Sequence, residues 1–269
     1  MPGSIAQGMI WGVMALGVYI TFRLLDFADL TVDGSIATGA AVSVMLIRAG
    51  VSPIATLPIA FLAGALAGMV TGLLNTALGI PGILASILTQ ISLYSINLNI
   101  MGKANQPVSV DNYPLVVSLR YVTDGSVSRL LFFLGMIVFL LALIAVMYWY
   151  FGTEQGHAIR ATGCNSNMAR AQGINTNFIK VLALMISNGL VGLCGALYGQ
   201  FQGASDVNMG RGAIVIGLAA VIIGEVLFGK FASKRKLAFA FTLASVILGA
   251  VIYYMVYQFV LWLKMLQRI

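Results

Sequence analysis

Residues 130–151 read LLFFLGMIVFLLALIAVMYWYF, and residues 152–177 continue without interruption as GTEQGHAIRATGCNSNMARAQGINTN. The first stretch carries no charge, and roughly 20 apolar residues span a bilayer core as a helix. The second is polar and precedes another uncharged run, Val181 to Gly199, so it must sit at a membrane surface between two spans. Inside it the spacing predicts two short helices. Glu154 to Thr162 has an acid in its first turn and Arg160 in its last, complementing the helix dipole, and Gly163 is placed to stop it. Asn165 or Ser166 then caps a piece over Asn167 to Gln172, with Gly173 as a left-handed stop. The result is a compact knuckle whose faces carry Ala158, Ala161, Ala169 and Ala171 beside Arg160 and Arg170. Small residues permit close approach and cations give orientation, which suits docking into a groove; a folded connection between two spans accounts for the same spacing.

Composition fixes the broad class. Apolar residues make up 60% of the 269 and charges 9%, with a mean hydropathy of +0.97, whereas a soluble domain carries about 25% charge. This is a polytopic membrane protein, and long continuous runs select helices over the alternating pattern of a barrel. The net charge of +7 does not imply nucleic acid, because the cations are scattered at loop ends and form no basic run beyond Lys234-Arg235-Lys236; orientation and lipid headgroups account for them better. Cys164 and Cys194 have no metal-ligand spacing, and His157 is the single histidine, so neither a disulfide scaffold nor a metal site is expected.

Along the chain, Gly3 to Phe22 reads as a retained first helix. Leu24 to Asp33 is polar, and Gly34 to Ile47 is too short for a simple span, so the segment either uses the preceding residues to complete its span or is discontinuous, and Asp33-Gly34-Ser35 favours a broken helix. Ile54 to Asn75 carries Ala60, Gly64, Gly68 and Gly72 at every fourth position, a close-packing face. The span from Ile80 to Ile100 is polar for lipid, with Gln90 and Asn97 seven apart on one face and Ser86 and Ser95 widening the stripe. Lys103 to Arg129 is a long irregular loop with an amphipathic middle, Tyr113 to Val122. After the knuckle come a span with Asn188, Gln200 and a second small-residue ladder, Gly195, Gly199 and Gly203, a polar turn with Asp206, a short Gly-interrupted segment, Gly212 to Gly229, with Glu225 near its end, and a last span, Leu237 to Leu263. That makes eight membrane segments in one all-α domain over residues 1–269.

Asp29, Gly34, Ile36, Gly39 and Ala41 line up with Asp206, Gly212, Ile214, Gly217 and Ala219 after one inserted residue. Paired short segments of opposite orientation are what an inverted repeat produces, and they point to a transport path; chance similarity among Gly- and Ala-rich helices gives the same identities. A charge at mid-bilayer costs at least ~2.5 kcal/mol, so Glu225 is read as pairing with Arg23 or Lys230, and Asp33 as either paired or functional. Candidate path residues are Asp33, Gln90, Asn97, Asn188, Gln200 and Asp206. No nucleophile elbow, paired carboxylates or phosphate-binding glycine loop occurs, so the chain is not expected to hydrolyse ATP.

The order Arg160-Ala161-x-Gly163-x-Asn165-x-x-x-Ala169-x-x-x-Gly173-Ile174 resembles the cytoplasmic coupling loop of permease subunits of ABC importers in the branched-chain amino acid, ribose and nucleoside group. LDFADLTVDGS at Leu25 to Ser35, GLCGALYGQFQG at Gly192 to Gly203 and MGRGAIVIGLAAVIIGE at Met209 to Glu225 are similar to the branch of permeases for tryptophan or tyrosine uptake. The resemblance implies a multi-pass bacterial cytoplasmic membrane protein that imports a small solute, an aromatic amino acid first, with a sugar, nucleoside or other metabolite as the alternative. It implies a second permease copy as a homodimer, two cytoplasmic ATP-binding subunits that hold ATP and Mg, an external substrate-binding protein, membrane lipid, and no nucleic acid or cofactor on this chain. It makes residues 152–177 the coupling loop, with Glu154, His157, Arg160, Ala161, Asn165, Arg170 and Ala171 facing the ATPase. The competing class, an ion-coupled secondary transporter, needs a buried, partner-poor acid or a sodium-site polar cluster and has no use for a docking knuckle.

Overall fold

A computed structural model describes residues 2–108, 113, 115–123, 126–232 and 237–266. Lys234, Arg235 and Lys236 lie outside these residues. The helices are α1 (Pro2–Tyr19), α2 (Thr31–Arg48), α3 (Pro53–Thr76), α4 (Gly82–Met101), α5 (Leu119–Thr123), α6 (Ser126–Phe151), α7 (Glu154–Cys164), α8 (Ser166–Ala171), α9 (Thr176–Gln202), α10 (Ala213–Ala232) and α11 (Ala238–Leu266). Two three-residue strands, β1 (Asn105–Pro107) and β2 (Ala204–Asp206), pair antiparallel with Gln106 opposite Ser205. Among the described residues six helices are long and apolar enough to cross a membrane. With the shorter helices α2 and α10 they make eight helical segments among the described residues, and the protein is an all-α polytopic membrane protein.

The core is α9, which α1, α2 and α3 surround. The glycine ladder of α3 explains how closely they pack. A Cβ built on Gly64 would stand 2.1 Å from the Asn188 carbonyl oxygen, and one on Gly68 2.2 Å from that of Leu184. No side chain fits there, so the two backbones touch and gain dispersion along their length, as small-residue ladders do in lipid. On the other face of α9, Gly195 meets Ile36 of α2 in the same way. Gly203, read as a rung of that ladder, instead ends α9 in the left-handed region at φ +71°.

α1 is buried nearly throughout, which hydropathy does not reveal, since lipid-facing and protein-facing apolar residues score alike. Its last turn widens over Ile20–Leu24, with Leu25 N–H donating to the Ile20 carbonyl, and Asp26 at φ +54° turns the chain back toward α2. The helix break expected at Asp33-Gly34-Ser35 does not occur. The Asp29 carboxylate accepts from the Thr31 N–H at 2.9 Å, so α2 starts two residues earlier and runs through all three. Gly34 instead lets α4 approach closely: a Cβ there would stand 2.9 Å from Leu93 Cδ1 and 3.3 Å from the Gln90 Cα. Among the described residues between 103 and 129, Leu115, Val117 and Val122 are buried.

α7 and α8 form the knuckle. Gly163 does not stop α7, which continues to Cys164; a Cβ on Gly163 would fall 1.9 Å from the Leu24 carbonyl oxygen, so the glycine lets the knuckle lie against the end of α1. Asn165 caps α8, its Oδ1 accepting from Asn167 N–H and Met168 N–H, and Gly173 closes it at φ +84°.

Candidate functional site

α2 and α10 meet first turn to first turn. Asp33 Oδ2 accepts from Gly212 N–H and Oδ1 from Ile214 N–H, both at 3.0 Å, so the carboxylate answers the orphan amides and positive dipole end of α10. From there α2 runs to Arg48, which donates to Gln106 of β1, and α10 runs to Glu225, which pairs with Arg23 at 3.0 Å. Arg23 adjoins Leu24, on which the knuckle rests, so the two short helices diverge toward opposite ends of the bundle.

Beside this junction lies a cavity of about 280 Å³ between α2, α4 and the turn that enters α10. Asp33, Gln90 and Asn97 line it together. Of the hydroxyls of the polar stripe on α4, that of Ser95 lines it as well, whereas Ser86, Thr89 and Ser92 donate to carbonyls of their own helix. Asn97 is different. It is buried, and neither its amide nitrogen nor its oxygen has a hydrogen-bond partner among the described residues. An unmet buried amide costs about 1–3 kcal/mol, so it is a place where water or a polar ligand is rewarded. Tyr94 and Arg211 also line the cavity, and Arg211 takes part in no ion pair among the described residues. Both lay outside the sequence-derived set; the signal for Arg211 was its place in the polar turn leading into a short helix.

The other candidates sit elsewhere. Asn188 is fully buried between α2, α3 and α9, donating to Asp29 Oδ2 at 2.7 Å and accepting from Ser35 at 2.6 Å. Gln200 is buried too, its Nε2 within 3.3 Å of Ser43, Thr56 and the Pro53 carbonyl and its Oε1 accepting from Val116 N–H. Asp206 accepts from Asn208 N–H at 2.7 Å and so shapes the turn beside the cavity without lining it.

At the knuckle, Glu154, His157, Ala161, Asn165, Arg170 and Ala171 are exposed, as is Met168 at 63%. Arg170 donates to Thr176 Oγ1 at 3.0 Å, fastening α8 to α9. Arg160 lies with its guanidinium carbon 4.1 Å from the Phe239 ring centroid and 5.8 Å from that of Phe151. Both arginines thus contact the chain's own spans. Among the described residues no group of three or more His, Cys, Asp or Glu could hold a metal ion.

The family described as branched-chain amino acid transport system permease component matches residues 1–268. A tyrosine transport system permease protein of Clostridioides difficile is 40% identical over 260 residues, 97% of this chain and 82% of its own. The inner membrane ABC transporter permease protein YjfF of Escherichia coli is 27% identical over 80% of this chain and 64% of its own. The autoinducer 2 import system permease protein LsrC of Yersinia pseudotuberculosis is 30% identical over 83% of this chain and 60% of its own. No solved structure matches significantly. A match along nearly the whole chain, on a fold of eight membrane segments, places the protein in the cytoplasmic membrane as a transport subunit: it belongs to the permease family of branched-chain amino acid transport systems.

Proposed function

We propose that the chain is the membrane subunit of an ATP-driven ABC importer, working as a pair of copies with two ATPase subunits at the knuckle and an external binding protein at the opposite end. One observation carries this reading. The exposed knuckle is locked to α1 through Gly163 on Leu24 and to α9 through Arg170 and Thr176, so a force on it reaches two of the central spans. Glu154, His157, Ala161, Asn165 and Ala171 form the docking surface, and Asp33, Gln90, Asn97 and Arg211 line the path where two copies meet. Asp206 holds the turn at its rim, while Asn188 and Gln200 brace its walls. The cargo is an aromatic amino acid, supported by the tyrosine system of the Clostridioides difficile relative. Both acids near the α2 start are met by groups of the chain itself, which disfavours an ion-coupled mechanism.

The test is a complex reconstituted with its ATPase and binding protein. Ala161→Glu places a charge on the exposed knuckle and should reduce cargo-stimulated ATP hydrolysis to the unstimulated rate with the melting temperature unchanged; full stimulation sinks the docking assignment. Tyrosine and tryptophan should compete for uptake where ribose and nucleosides do not, and the reverse order would move the cargo to another class.

A further inference from the structure

At the knuckle end of the bundle, the ends of α6, α7 and α11 enclose a cleft of about 480 Å³. Tyr148 and Trp149 of α6, His157 and Arg160 of α7 and Phe239 of α11 line it. No acid lines it among the described residues. Arg160 is the charged group, and it is held rather than mobile: its guanidinium lies over Phe239, and its Nε is buried with no hydrogen-bond partner among the described residues. A cation fixed on aromatic faces with an unmet donor favours a ligand with anionic oxygens. His157 donates from Nδ1 to the Thr153 carbonyl at 2.8 Å, which fixes the ring at the cleft.

What kind of anion follows from where the cleft opens. α6 ends its apolar span at Phe151, so the cleft stands at the boundary between hydrocarbon and water. Leu134, Val138, Leu141, Ala145 and Trp149 recur at helical spacing on α6 and are all exposed, so one apolar stripe runs from mid-span to the cleft. Trp149 is 71% exposed and Tyr148 40%, the amphipathic rings that sit at headgroup level. A soluble anion would use the cation alone, whereas an anionic lipid uses the cation and the lipid-facing side of α6 at once. We infer that this cleft binds the headgroup of an anionic phospholipid, with the phosphate on Arg160 and an acyl chain along the stripe of α6. Because Arg160 belongs to the knuckle, the lipid bridges α7 to the ends of α6 and α11. The inference does not depend on the import reading.

The experiment uses the full chain in bilayers that mix phosphatidylcholine with phosphatidylglycerol, one of the two brominated at a time. Trp149's share of the fluorescence is the difference between the protein and its Trp149→Phe variant. Brominated phosphatidylglycerol should quench that share with about a fivefold preference over brominated phosphatidylcholine at equal mole fraction, the effect of one interfacial cation. Arg160→Gln should abolish the preference without changing quenching by phosphatidylcholine. Equal quenching by the two lipids in the unmodified chain overturns the proposal whether or not Arg160→Gln folds. Loss of the preference on adding inorganic phosphate also overturns it, since the cleft would then read a soluble anion.

Discussion

Asn188 and Asn97 are the same side chain, both wholly buried in apolar helices, and their surroundings are opposites. Asn188 is saturated, giving to Asp29 and Leu184 and receiving from Ser35. Asn97 has no partner among the described residues and faces a cavity. Polarity inside a membrane segment therefore does two separate jobs in this molecule. Where the groups meet each other they are mortar between helices; where they meet a cavity they are an offer to something that arrives. Position in the sequence cannot distinguish the two, because the partner of Asn188 that matters most, Asp29, is 159 residues away.

Five substitutions at four positions probe that contrast. The largest effect belongs to the mortar's frame. Gly68→Leu drives a side chain into the Leu184 carbonyl and should leave no monodisperse folded protein in detergent; normal assembly with altered cargo preference would show that the ladder does not set the helix spacing. Asn188→Leu should lower stability by about 3 kcal/mol, because it strands the Asp29 carboxylate in the interior, and thermal unfolding reads this directly. In a background lacking Cys164 and Cys194, Gln90→Cys should react with a small water-soluble thiol reagent while Asn188→Cys stays protected in every nucleotide state. Comparable rates at the two positions would erase the distinction. The smallest loss of stability is expected for Asn97→Leu, which breaks no bond and removes an unmet amide, so stability should hold or rise by about 1–3 kcal/mol, yet uptake should fall. A loss as large as that of Asn188→Leu would mean that Asn97 is mortar as well.

Much of this architecture was legible in the residues. The uncharged run before Gly152, the glycine ladder of α3 and the two-helix knuckle all follow from local spacing, and Gln90 and Asn97 share a face because they are seven apart on one helix. Pairing was legible only in part: Glu225 with Arg23 followed from the cost of an unpaired charge. What stayed hidden depended on contacts between distant segments. Gly34 and Gly163 look like helix breakers, and each is instead a point where another segment presses on the helix, Leu93 in one case and Leu24 in the other. Arg160 looks like an outward cation until Phe239 is folded beside it. Arg211 joined the cavity because the turn before α10 bends back to the level of Asp33, which no local pattern encodes.

The Asp33 carboxylate on the first turn of α10 has a mechanical meaning. Between Ala213 and Glu225 the helix is a strut roughly 18 Å long, moored at one end beside the cavity and at the other to Arg23, the neighbour of the residue on which the knuckle rests. A strut moored at both ends does not bend to absorb a displacement; it tilts. On the proposed importer reading, this single element is the route by which a shift of the knuckle against Leu24 would reach Arg211 and the cavity wall.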